Sequence, residues 1–247
     1  MCPAFLALAV ASAGAVSEPL LVITPPLVEI AADQPWADVA VRNTNQVPWI
    51  LRSTTFAWEQ DERGTVILDA AEDVFAFPAR VTLRPGEVRK FRVSVVRPPG
   101  ERERAYRLAL DVSAPHAEDA TRVLVPVFVA PSQVARDLAL GVTCGPKACR
   151  VALANLGTVR ARPERMSLLV AEASGRQTAH ELQTWWVLAG GSRILEVEVP
   201  ELEPSARVVV RAEVEGREIQ AEVGGKTAQV TNVRRVATSE AVRGGRR

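Results

Sequence analysis

The sequence predicts an all-β protein built as two consecutive β-sandwiches, and three observations carry that prediction. Apolar and polar residues alternate with period two in segment after segment, the pattern of a strand with one buried face. Strand signals recur about every ten residues between turns rich in Pro, Gly and Asn, the spacing of sandwich strands. The chain, at 247 residues with 47% apolar residues, is long and apolar enough for two domains with a core each. A formal net charge of +1 gives no whole-molecule attraction for nucleic acid or an anionic membrane, and neither is expected as a partner.

Taken in order, the first element is a processing signal. Residues 3–15 (PAFLALAVASAGA) are apolar or small, carry no charge and are too short to span a bilayer. Ala13-Gly14-Ala15 has the small-x-small form of a signal-peptidase site, with Ala11-Ser12-Ala13 as an alternative. Residues 1–15 are therefore read as a signal peptide that directs export. No Lys or Arg precedes the apolar run, which leaves the true translation start open. The rival reading is a buried first strand or helix.

A first domain is expected over residues 19–131. Ala37, Val39 and Val41 alternate with Asp38 and Arg42 before Asn43-Thr44-Asn45 turns the chain. Phe91, Val93 and Val95 alternate with Lys90, Arg92 and Ser94, after the turn Leu83-Arg84-Pro85-Gly86. Tyr106, Leu108, Leu110 and Val112 alternate with Arg107, Ala109 and Asp111. Residues 123–129 (VLVPVFV) differ, being apolar on both faces, so this strand is either central and covered twice or partly waiting for a partner. Pro126 has no N–H to give a ladder, which predicts an edge that is open, bulged or ending.

Ala130-Pro131-Ser132 marks a boundary, and a second sandwich is expected over residues 132–235. Its strand signals are Cys149-Val151-Leu153, Leu195-Val197-Val199 and Val208-Val210-Ala212-Val214, each alternating with polar or small residues. From 236 to 247 the composition shifts to Ala, Thr, Ser, Gly and Arg, read as a flexible basic tail. Cys144 and Cys149 flank the turn Gly145-Pro146, close enough for a disulfide, and a disulfide suits export. A zinc half-site is the rival, but tetrahedral zinc needs four ligands and the sequence offers only His116 and His180 besides, so no metal is expected.

Catalytic motifs are missing: there is no Gly-x-Ser-x-Gly elbow, phosphate loop or His-Glu-x-x-His. Both histidines lie in polar stretches. Trp185-Trp186 sits among Leu182, Val187 and Leu188, which favours packing over sugar stacking. No enzyme activity, cofactor or small-molecule substrate is expected.

These pieces, in their order over roughly residues 20–215, resemble the PapD-like periplasmic pilus-assembly chaperones, and more closely their archaic branch. The residues that carry the resemblance begin with Ile23-Thr-Pro-Pro-Leu-Val28, Val39-Ala-Val-Arg-Asn43 and Pro78-Ala-Arg-Val-Thr-Leu-Arg-Pro-Gly-Glu87. They continue with Arg102-Glu103 before Tyr106 and with Val125-Pro-Val-Phe-Val-Ala-Pro131. In the second half they are Asn155-Leu-Gly157 and Leu188-Ala-Gly-Gly-Ser-Arg193. The resemblance implies two immunoglobulin-like domains, with Tyr106 in a structural corner role. It implies donor-strand complementation, in which the chaperone lends a strand to a pilin-like subunit lacking one, with an outer-membrane usher as a further partner. Carried over to this chain, the donor residues are Val123, Val125, Val127 and Val129, with Leu124 and Phe128 in the chaperone's own core. The Arg and Lys that hold a subunit's carboxylate in better-known members correspond here to Leu27 and Pro126, leaving Arg122 or Arg80 as candidate anchors. The alternative function is a PapD-like periplasmic binding or scaffold module with a non-pilus role.

Overall fold

A computed structural model describes residues 21–117 and 119–224, and the main chain of 234–240. The processing signal, Cys2 and residues 241–247 of the expected tail lie outside the described residues.

The described residues form 18 strands and no helix. The first ten are β1 (Leu21–Thr24), β2 (Val28–Ile30), β3 (Trp36–Asn43), β4 (Trp49–Gln60), β5 (Val66–Ala70), β6 (Val74–Phe77), β7 (Arg80–Leu83), β8 (Val88–Val95), β9 (Arg104–Ser113) and β10 (Thr121–Val129). They make two sheets, one in the order β1-β3-β8-β6 and one in the order β2-β10-β9-β4-β5 with β7 also on β4. One core lies between them, built from alternate residues such as Val39, Val41, Leu51, Phe91, Val93, Leu108 and Leu110. The alternations that predicted β3, β8 and β9 thus mark the faces that enter it.

The remaining strands are β11 (Val134–Cys144), β12 (Ala148–Asn155), β13 (Arg165–Ala171), β14 (Gln177–Leu182), β15 (Ser192–Glu198), β16 (Arg207–Val214), β17 (Arg217–Gly224) and β18 (Arg234–Glu240). Their sheets run β15-β12-β11-β18 and β14-β13-β16-β17 around a second, separate core that includes Leu140, Val151, Leu168 and Val210. Both halves are immunoglobulin-like sandwiches. β18 corrects the expected tail: residues 236–240 continue a strand that pairs antiparallel with β11, with Leu138 opposite Val236 and Val134 opposite Glu240. Main-chain pairing along β11 does not require an apolar side-chain pattern, which is why a small, polar composition concealed it.

The two Asn-containing turns have one physical explanation. Asn43 ends β3 fully buried, its Nδ2 donating to the carbonyls of Val47 and Leu83 while its Oδ1 accepts from the Asn45 N–H. Asn155 ends β12 in the same way, donating to the carbonyls of Val159, Val187 and Leu188 and accepting from the Gly157 N–H. Each Asn staples a strand end to a turn that would otherwise bury unpaired carbonyls. Gly157 is required by space, since a Cβ there would lie 2.5 Å from the Ala135 carbonyl.

Tyr106 reaches from one sheet of the first domain to the other. Its hydroxyl donates to Asp73 Oδ2 at 2.9 Å, beside the Arg104 guanidinium, which pairs with the same oxygen at 2.9 Å. The role is structural, but the acceptor is a side-chain carboxylate 33 residues upstream rather than the main chain of a corner. Burial and the Asp73 carboxylate push its pKa up to about 12. Cys144 and Cys149 face each other across the β11–β12 hairpin and form a disulfide, with Cα atoms 4.0 Å apart.

Candidate functional site

The distinctive element is β10. Along one edge it pairs antiparallel with β9 over its whole length, from Thr121 opposite Val112 to Val129 opposite Arg104. Its other edge is filled only at the end, where β2 joins in parallel: Val127 opposite Val28, Phe128 opposite Glu29 and Val129 opposite Ile30. Among the described residues, nothing pairs with that edge from Thr121 to Pro126. Pro126, which has no N–H, sits where the ladder to β2 begins.

The two faces of β10 are the reverse of the sequence-based assignment. Val125, Val127 and Val129 are buried in the first domain's own core, and Val123 packs half-buried against its rim. The reason is register. Val125 lies opposite Leu108 and Val127 opposite Tyr106, so these valines share the face that Leu108 and Tyr106 bury. They are therefore not exposed donors, and Val123 alone has any outward reach. Leu124 is not core either: it is 40% exposed on the outer face. Phe128 is buried where the two domains meet, between Trp58 of the first and Trp186 of the second. Its ring lies 5.6 Å from Trp58 and 5.4 Å from Trp186, edge-on to the latter. Trp186 is thus a packing residue, and Trp185 lies beneath the Arg193 guanidinium at 3.9 Å.

On the outer face, residues in register form rows across the sheet. Arg122, Asp111, Arg52 and Arg80 make one row over β10, β9, β4 and β7. Arg122 grips Asp111 through two hydrogen bonds of 2.7 and 2.9 Å, and that hydrogen-bonded pairing holds the Asp111 carboxyl below its usual range. As the first candidate anchor, Arg122 is therefore already spent on a carboxylate of its own chain. Arg80, the second, is exposed but lies three strands from β10, about 14 Å at ordinary strand spacing, beyond the reach of a side chain to the open edge.

A different cation occupies the place. Arg107 on β9 lies opposite Pro126 on one side and Phe56 on the other. It stacks on the Trp58 ring at 3.7 Å, its buried Nε has no hydrogen-bond partner, and burial lowers its pKa. It makes no ion pair among the described residues. Sequence reasoning missed it because Arg107 alternates with Tyr106 and Leu108 as any solvent-facing Arg would, and Trp58 is 49 positions away in sequence (107 − 58).

The second domain closes against this end of β10. Gln60 at the tip of β4 donates to the Trp186 carbonyl and accepts from the Leu188 N–H. Arg160 pairs with Glu103 and Glu29 and stacks on Phe128 at 3.8 Å. Glu103 is only 6% exposed at its side chain; burial raises its carboxyl pKa, against the lowering effect of the Arg160 N–H and guanidinium. His116 is exposed in a turn, and among the described residues no group of three or more His, Cys, Asp or Glu is placed to hold a metal.

The described residues thus form two immunoglobulin-like sandwiches in tandem, with one strand of the first left open along most of one edge. Residues 20–135, which hold the first sandwich, match the family model described as "Pili and flagellar-assembly chaperone, PapD N-terminal domain". Solved structures of similar fold include a chain of the CsuC–CsuE chaperone–tip adhesion subunit pre-assembly complex from archaic chaperone-usher Csu pili of Acinetobacter baumannii. It has a TM-score of 0.56 and 18% identity, covering 82% of this chain and 97% of that one. The YadV chaperone aligns with a TM-score of 0.55 and 15% identity over 83% of this chain and 100% of that one. The Pseudomonas aeruginosa CupB2 chaperone gives 0.51 and 16% over 83% and 100%. At these identities the likeness is one of fold. No curated protein matches the sequence significantly.

Proposed function

We propose that the protein is a periplasmic chaperone that binds and stabilises pilus or fimbrial subunits by lending them the open edge of β10. The observation that carries this reading is the unpaired main chain from Thr121 to Pro126, flanked by the exposed Leu124. An immunoglobulin-like subunit lacking a strand exposes an apolar groove, and the groove aggregates unless a strand fills it. β10 offers main-chain donors and acceptors along that edge, each bond worth roughly 1 kcal/mol net. Leu124 adds roughly 1.5–3 kcal/mol on full burial, and Val123 adds apolar contact at the core rim. The family-model match over residues 20–135 and the likeness in fold to chaperones solved with a tip adhesin subunit support the same reading. For a carboxylate carried by the bound strand, Arg107 is the receiving cation in this proposal: it is stacked, half-buried and unpaired one strand in from the edge. Delivery of the subunit to an outer-membrane usher completes the role we assign.

The test is co-expression with a pilus or fimbrial subunit from the same genome, followed by purification of the complex from periplasm. Leu124→Asp should abolish capture while leaving the chaperone folded. Capture at the unaltered level by a folded Leu124→Asp protein would falsify the edge mechanism.

A further inference from the structure

The open edge does not simply stop; it is closed by a device that spans both domains. From Val127 onward β2 occupies the edge, and it is anchored on both sides of its middle residue: Val28 and Ile30 are buried in the core, and the Ala130 N–H donates to the Ile30 carbonyl at 2.9 Å. The middle residue, Glu29, points outward and is held by Arg160 of the second domain. The same guanidinium pairs with Glu103, just before β9, and covers Phe128 of β10, so one side chain ties together three neighbouring segments of the sheet. Glu103 is fixed further by accepting from the Arg160 main-chain N–H at 2.9 Å and by its own N–H donating to the Thr158 carbonyl at 2.7 Å. Immediately before this block stands Pro126, which offers no donor to an incoming strand.

We infer that β2, clipped by Arg160, is a register stop that confines a bound strand to the stretch from Thr121 to Pro126. The inference rests on the edge reading of the proposed function and adds to it a boundary that limits how far the client can slide along β10. A client strand cannot slide toward the second domain without displacing β2, whose apolar residues belong to the core. Any excess length must overhang at the Thr121 end. Only a client that sets an apolar residue against Leu124 within this window is matched, so the stop selects among subunits by register as well as by composition.

Hydrogen–deuterium exchange with mass spectrometry on the full chain, free and in complex with the co-expressed subunit, tests the stop. In the complex, amides of residues 121–125 should exchange more slowly, while those of 28–30 stay equally protected with and without subunit. Arg160→Ala should speed exchange at 28–30 in the free chain about tenfold, as expected for loss of a charged hydrogen-bonded pair. Glu29→Gln, which leaves the second domain and Glu103 untouched, should speed it by a smaller factor. Loss of protection at 28–30 on subunit binding would show that β2 is displaced and overturn the stop. So would Arg160→Ala and Glu29→Gln proteins that both protect 28–30 as the unaltered chain does. If a complex forms yet 121–125 gain no protection, the edge reading itself fails, and the stop with it.

Discussion

Substitution of Val127 and of Leu124 by Ala should have opposite consequences, although the two residues are three apart on one strand. Val127 is fully buried between β9 and β2, opposite Tyr106 and Val28. Val127→Ala removes two methyl equivalents, about 1.6 kcal/mol at roughly 0.8 kcal/mol each, and the residual cavity adds about 1 kcal/mol more. For a domain of this size that corresponds to a fall in melting temperature of roughly 10 °C. Leu124 has no such cover, and Leu124→Ala should shift stability by less than about 0.5 kcal/mol. Capture should move the other way. Loss of a Leu that is buried only on subunit binding costs about 1–2 kcal/mol, a roughly tenfold weaker complex. Val127→Ala should capture normally at temperatures where it stays folded. Differential scanning calorimetry of each variant, paired with titration against purified subunit, reads both effects. A Val127→Ala protein that melts with the unaltered one but fails to capture would restore Val127 as a donor and refute the face assignment.

Tyr106 is the single tyrosine of the chain, so tyrosinate absorbance reports on it alone. It should ionise near about 12, not near the usual value of 10. Because the folded-state pKa is the higher one, the stability it contributes is complete below pH 10 and is lost as pH rises toward 12; Tyr106→Phe should flatten that alkaline decline in a urea-denaturation series. Arg160→Ala takes the guanidinium from the buried Glu103 carboxylate and leaves it the main-chain N–H of residue 160; it should cost about 1.5–3 kcal/mol, whereas Glu103→Gln should cost less, in chemical denaturation. Replacing both Cys144 and Cys149 by Ala should lower stability by about 2 kcal/mol on the chain-entropy account of a loop this short, and mass spectrometry of exported protein should show both thiols blocked.

The all-β architecture was legible because burial of one sheet face writes a period of two into the chain, as in Phe91-Val93-Val95 and Tyr106-Leu108-Leu110. The Asn turns were legible as turns, but the reason for Asn43 and Asn155 was not. Each is a buried staple to carbonyls 40 and 32–33 residues away, and no local pattern encodes such partners. The faces of β10 were illegible for a different reason. When both faces of a strand are apolar, alternation says nothing about which faces inward. The neighbour decides: β9 has one unambiguous apolar face, and the hairpin register puts Val125 and Val127 on it. Arg107 was hidden by the same logic in reverse, since an Arg on a polar face gives no sign of the aromatic ring it will stack on.

An open, partly apolar edge is a hazard to the protein that carries it, and β10 shows how the hazard is limited without being removed. Arg122 places a charge at the outer end of the open stretch and is itself fixed by Asp111, and a charge on an edge disfavours edge-to-edge pairing. Pro126 removes one donor at the inner end, and β2 fills the rest. What stays open runs from Thr121 to Pro126, with one residue that has no N–H. In the proposed role, a partner whose own groove buries Leu124 would add the apolar contact that self-pairing lacks, making main-chain pairing necessary but insufficient. On the same proposal the second domain contributes through Arg160: without it β2 keeps its ladder to β10 and the burial of Val28 and Ile30 but loses the clip on Glu29, and the boundary between the closed and open parts of the edge should fray.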